Sequence, residues 1–189
     1  LRWRRDQSYF NLATWRGTRK LDGGVIGNQA SHHLDLLIWV LGKVKEVHAI
    51  GSNYLVKNIE SEDTVLVNLK FSDNKMASIE ATTATSPENI EGSISFLGTK
   101  GTIVIGGFAM NKLKYCKSEK ANNLLKKKFD TEPPNVYGFG HDKFYKYLDK
   151  IFNNKKLIKK NINLAVHVSE VIEAINKSIQ LNKIIKIKK

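Results

Sequence analysis

The sequence predicts an α+β fold: an open, mostly antiparallel β-sheet of about six strands with helices on one face. Three observations carry that prediction. Apolar and polar residues alternate through much of 44–117, an apolar stripe of helical period closes the chain over 163–182, and a helical pattern at 26–41 precedes the strands.

The elements follow in order. Residues 1–25 hold few periodic apolar positions and read as a short strand entering a loop. The helix over 26–41 ends at Gly42, the residue type that most readily takes a left-handed cap. Val65, Val67, Leu69 and Phe71 alternate with Thr64, Leu66, Asn68 and Lys70, which is a half-buried strand. Met76–Ala84 repeats the pattern, and Ser72-Asp73-Asn74-Lys75 turns between the two as a hairpin. Strands are also predicted at Glu91–Leu97, Thr102–Ile105 and Met110–Lys117, the first two joined by the tight turn Gly98-Thr99-Lys100-Gly101. Residues 118–137, lysine-rich and containing Pro133-Pro134, form a surface loop. Two helices close the chain, at 141–153 and 163–182; the second places Leu164, Val168, Val171, Ile175 and Ile179 on one core-facing stripe. Ser78, Glu80 and Thr82 make the other face of the sheet partly polar, a surface that a second subunit can bury.

Composition narrows the function classes. With 41% hydrophobic and 26% charged residues, the chain has an ordinary globular balance and no apolar run of membrane-spanning length. Cys116 is the only cysteine, so neither a disulfide framework nor a metal cluster is expected, and a reducing cytoplasm is the default compartment. The net charge of +13 gathers in lysine clusters at 126–128, 155–160 and 183–189. No aromatic interleaving, helix-turn-helix or zinc module accompanies them. A solvated surface explains the charge; attraction of an anionic small substrate and polyanion binding are the rival explanations. The opening Leu1-Arg2-Trp3 has neither an initiator Met nor a signal-peptide pattern, so the chain is expected to be one domain, 1–189, of a longer protein. No G-x-G-x-x-G unit or phosphate-binding G-x-x-x-x-G-K-[ST] loop occurs, so the dinucleotide-binding domain is expected to be missing from this chain.

Chemistry concentrates in Trp15–Gly24 and Asn28–Asp35. On a helix beginning near Val25–Gly27, Asn28, His32, Asp35 and Trp39 share one face. Asp35 or Asn28 would orient the His32 imidazole, leaving a nitrogen for a substrate hydroxyl, a task that suits a side chain titrating near neutrality. A satisfied structural histidine is the other possibility for His32. Gly23-Gly24 is either a flexible turn or a place where a ligand approaches backbone N–H groups. His33 points elsewhere, toward packing or surface.

Trp15-Arg16-Gly17-Thr18, Leu21-Asp22-Gly23-Gly24 and Asn28-Gln29-Ala30-Ser31-His32-His33-Leu34-Asp35 resemble the start of the C-terminal domain of the Gfo/Idh/MocA oxidoreductases. The likeness continues through Glu62-Asp63-Thr64, Ile79–Thr83, Gly98–Gly101 and Gly138-Phe139-Gly140-His141. Within that family the chain is similar to nucleotide-sugar dehydrogenases that oxidise the 3-hydroxyl of UDP-N-acetylglucosaminuronic acid. The resemblance implies a dihydrodipicolinate-reductase-like C-terminal domain whose open sheet face builds homodimers or homotetramers. It implies NAD or NADP, held mainly by the missing N-terminal domain, and a nucleotide-sugar substrate, with no nucleic-acid or membrane partner. His32 matches the family's catalytic histidine. Asn28 stands where the family motif has an acid, so it can bond a sugar but not act as a base. Trp15 and Arg16 match a pair near cofactor and substrate, and Arg16 suits bidentate binding of a phosphate or carboxylate. Gln29, Asp35 and His141 complete the implied substrate contacts; His141 is equally explained as a helix-capping or surface residue. A catalytically silent sugar-binding or oligomerisation module is the alternative.

Overall fold

In the computed structural model, residues 1–107, 109–118 and 138–187 are described. Five helices and seven strands form among them: α1 Gln7–Phe10, α2 Gly24–Gly27, α3 Ser31–Leu41, β1 Val44–Ser52, β2 Thr64–Phe71, β3 Met76–Thr82, β4 Ile94–Gly98, β5 Gly101–Gly106, β6 Lys112–Ser118, α4 His141–Phe152, α5 Lys155–Leu181 and β7 Ile185–Lys186. The strands make two antiparallel sheets, ordered β3-β2-β1-β7 and β4-β5-β6. The α+β class holds, with the strands shared between two sheets. The chain divides into two compact units, Leu1–Glu88 with Lys155–Lys189, and Asn89–Asn154. The second unit carries the three-stranded sheet and α4. The surface loop predicted at 118–137 lies outside the described residues after Ser118, which ends β6.

In the first unit the alternation read from the sequence decides the burial. Val65, Val67, Leu69 and Phe71 are each at most 2% exposed. Val65 faces Ala81, Val67 faces Ile79 and Leu69 faces Ala77 across the β2–β3 ladder. A slip of one residue would turn this entire set to the outer face, so the register is strongly specified. Helix α5 packs on β1 and α3 packs on α5. The predicted stripe of α5 is the packed one: Val168, Val171 and Ile175 are buried. Each large apolar side chain so buried contributes roughly 1.5–3 kcal/mol.

Polar groups tie the same layers together. The buried Ser178 hydroxyl accepts from Ala49 N–H at 2.9 Å and donates to Lys183 C=O at 2.7 Å. His167 Nε2 accepts from Val44 N–H at 3.0 Å. Asp63, 1% exposed, gathers the N–H groups of Tyr54, Leu55 and Val56 at 2.8–3.1 Å.

The helical pattern at 26–41 forms as two pieces. Helix α2 stops at Gly27, and Ala30 N–H reaches back to Val25 C=O at 2.8 Å, a wider turn than an α-helix makes. The Asn28 side chain bonds Asp22. Asn28 therefore lies outside α3, in the turn that enters it. No helix among the described residues is long and apolar enough to cross a membrane.

Candidate active site in the first unit

The site is assembled by the chain before α3. Residues 1–5 run beside β3 and its extension: Trp3 N–H donates to Thr82 C=O at 2.9 Å and Arg5 N–H to Thr83 C=O at 2.8 Å. Asp6 then caps α1 through Tyr9 N–H. The Tyr9 ring is placed among cations, with the Arg16 guanidinium 4.0 Å and that of Arg5 5.3 Å from its centre. The Trp15 ring lies 4.8 Å from Arg16. Gln29, itself buried, donates its side-chain N–H to the Tyr9 hydroxyl at 3.2 Å.

Asp22 fastens the loop that presents Trp15 and Arg16. One carboxylate oxygen accepts from Gly17 N–H at 2.8 Å and the other from the Asn28 amide. Gly17 is required here: its φ is +75°, and a Cβ would sit 2.6 Å from Ile59 Cγ2. Gly24 has a similar reason, with φ +68° and Ser61 Cβ 2.9 Å from where its own Cβ would be. Gly23, with φ +71°, and Gly24 together turn the chain into α2 through left-handed conformations. Val25 N–H, a backbone donor at this turn, is taken by Glu62 C=O at 3.2 Å.

Arg16, Asn28 and Gln29 are thus brought together: Asp22 links Asn28 to the residue after Arg16, and Tyr9 links Gln29 to Arg16 itself. His32 and Asp35 follow on the first turns of α3, both exposed, on the face opposite buried Leu34, Leu37 and Ile38. Neither Asn28 nor Asp35 hydrogen-bonds the His32 imidazole; Asn28 is committed to Asp22 instead. Trp15 is 39% exposed, with one side of its ring toward Arg16. His141 is exposed at the first position of α4, in the second unit. Tyr9 and Asp22 are the members that sequence reading passes over. Asp22 sat inside the Leu21–Gly24 motif with no role assigned; Tyr9 had no local signal, because Gln29 is 20 residues away.

His33 takes the packing role. Its ring meets Trp3 edge to face at 6.4 Å, and both ring nitrogens are buried without a hydrogen-bond partner. Burial above all lowers its pKa from 6.5 to about 4. The sign follows directly. The unfolded chain takes up a proton near pH 6.5 and the native chain only near 4, so the stabilisation is present above 6.5 and lost as pH falls through about 4. Urea unfolding between pH 7 and 4 is expected to show a loss of up to roughly 3 kcal/mol from this group. His33→Leu should flatten that part of the profile; an unaltered slope in the variant would contradict the assignment. Among the described residues no group of three or more His, Cys, Asp or Glu is placed to hold a metal ion.

Residues 2–184 match a family profile described as an oxidoreductase family, C-terminal alpha/beta domain. The WlbA dehydrogenase from Bordetella pertussis, solved in complex with NADH and UDP-GlcNAcA, is 33% identical, with a TM-score of 0.84 over 99% of this chain and 54% of that one. The WlbA dehydrogenase from Chromobacterium violaceum, also in complex with NADH and UDP-GlcNAcA, is 32% identical, with a TM-score of 0.80 over 98% of this chain and 52% of that one. An NAD-binding oxidoreductase from Klebsiella pneumoniae shares the fold at 18% identity, with a TM-score of 0.64 over 94% of this chain and 54% of that one. The chain therefore spans about half the length of these structures. No curated protein matches it.

Proposed function

Because the chain belongs to the Gfo/Idh/MocA oxidoreductase family as its C-terminal alpha/beta domain, we propose that it is the substrate-binding half of an NAD(P)-dependent dehydrogenase acting on a UDP-sugar hydroxyl. The observation that carries the reading is that one unit carries both an exposed His32 and an unsatisfied Arg16. The first is presented at the start of α3; the second has a guanidinium that makes no hydrogen bond to any described residue. A proton acceptor and an unsatisfied cation in the same unit suit an anionic sugar.

The dinucleotide fits this chain only at its edge. Trp15 offers an exposed ring face and Arg16 a cationic rim, while the chain carries no G-x-G-x-x-G loop. The rest of the cofactor site is assigned to a dinucleotide-binding domain elsewhere in the protein, in keeping with coverage of about half the length of the related structures. A bound nicotinamide supplies the hydride acceptor. His32 takes the proton of the reacting hydroxyl. Asn28 and Gln29, anchored by Asp22 and Tyr9, set the entry to α3, and Asp35 lines the same helix face one turn on. His141 is assigned a contact with the sugar nucleotide.

The outer face of the larger sheet exposes Ile50, Leu66 and Met76 among polar side chains, which suits burial against a second copy in a homodimer or homotetramer. A chain with Cys116 as its single cysteine suits the cytoplasm. The test is turnover. The full-length protein mixed with NAD and UDP-GlcNAcA is expected to generate NADH absorbance, and again with NADP if that is the coenzyme. Absence of hydride transfer with either coenzyme across UDP-sugars, uronic and neutral, would remove the proposal.

A further inference from the structure

We infer that Tyr9 is a specificity-determining positioning residue: its ring holds the face of the Arg16 guanidinium, which commits the in-plane N–H groups to an oxyanion of the substrate. This rests on the reading of the chain as the UDP-sugar-binding half. Arg16 is half-buried between two rings, with Tyr9 at 4.0 Å and Trp15 at 4.8 Å. A guanidinium stacks through its face and bonds through its edge, so rings on the face leave the donor fork for another group.

No such group exists among the described residues. The Arg16 guanidinium has no salt bridge and no hydrogen bond to a described residue, and its Nε is buried without a partner. The neighbouring Arg19, by contrast, is satisfied by Glu62 at 2.8 Å, and Arg2 by Glu80 at 2.7 Å. A partly desolvated cation with an unfilled fork is costly unless a ligand fills it, and the matching chemistry is a carboxylate or a phosphate.

Tyr9 is itself held. Its backbone N–H is taken by Asp6 and its hydroxyl accepts from the buried Gln29 side chain, three residues before His32. The tyrosine therefore couples the placement of the anion seat to the entry of the helix that carries His32.

A UDP-uronate offers two oxyanions, the sugar carboxylate and the diphosphate, and steady-state kinetics on the full-length protein separate them. UDP-GlcNAcA serves as substrate and UDP-GlcNAc, which lacks the carboxylate, as competitive inhibitor. Arg16→Ala is expected to raise KM for UDP-GlcNAcA about 10- to 100-fold with a much smaller effect on kcat. Tyr9→Leu, which keeps apolar bulk without the π face, should raise it about 5- to 30-fold, and Tyr9→Phe should stay within about threefold of wild type. A parallel rise in the UDP-GlcNAc inhibition constant assigns the diphosphate; an unchanged constant assigns the carboxylate. An unchanged KM in Tyr9→Leu, a Tyr9→Phe variant as impaired as Tyr9→Leu, or a rise confined to KM for the dinucleotide overturns the inference while the proposed function stands. If Tyr9→Leu does not fold, Arg16→Lys replaces it, with the same expected rise and the same overturning result. If the wild-type protein turns over no UDP-sugar, the functional reading fails by itself. The seat is then read by calorimetry with pyrophosphate and free glucuronate, where equal affinity of wild type and Arg16→Ala overturns it.

Discussion

His32→Ala in the full-length protein is expected to lower kcat for UDP-GlcNAcA by about 10²–10⁴-fold, the usual contribution of a positioned proton acceptor, while KM changes by only a few fold. The side chain is presented by a firmly anchored helix. Leu34, Leu37 and Ile38 bury the opposite face of α3, and Ser31 donates its hydroxyl to Asn28 C=O at 2.9 Å at the helix entry. Asn28 and Gln29 are pinned in turn by Asp22 and Tyr9. Removing the imidazole should therefore delete proton transfer and leave the fold intact. His32→Gln, which keeps a hydrogen-bonding end without a titrating one, should be nearly as slow. Stopped-flow hydride transfer with saturating cofactor makes the measurement. Turnover equal to wild type would assign the proton step elsewhere and favour a domain that binds sugar without taking part in the chemistry.

Asp63→Ala should produce the largest loss of stability of any single replacement in the loop between β1 and β2, about 3 kcal/mol or more. Its carboxylate accepts from three successive backbone N–H groups, Tyr54, Leu55 and Val56, and from the Thr64 hydroxyl at 2.9 Å. Hydrogen bonds to a charged acceptor are each worth about 1.5–3 kcal/mol, and buried donors left without a partner add their desolvation cost. A domain whose whole stability is about 5–15 kcal/mol would feel this strongly. Asp63→Asn keeps the shape and one acceptor oxygen, so an intermediate loss is expected. Urea midpoints at pH 7 for the three proteins should fall in the order wild type, Asn, Ala. An Ala variant within about 0.5 kcal/mol of wild type would show that water serves the three N–H groups equally well.

Local pattern determined a good deal of this protein. The alternation of Val65, Val67, Leu69 and Phe71 named the buried face of the sheet, and the Leu164–Ile179 stripe named the packed side of the long helix, because burial on a regular element depends only on its period. The family motif singled out Arg16, Asn28, Gln29 and His32, of which the first three are joined through Asp22 and Tyr9. Tertiary structure alone decided the rest. Two helical pieces replace one at Asn28 because its amide bonds a carboxylate six residues earlier. The strands separate into two sheets through pairings that no single strand encodes. Tyr9 enters the site through a bond to Gln29 and a stack on Arg16, contacts between segments that only folding brings into range. Periodicity reports which side of an element is covered; it says nothing about which distant side chain does the covering.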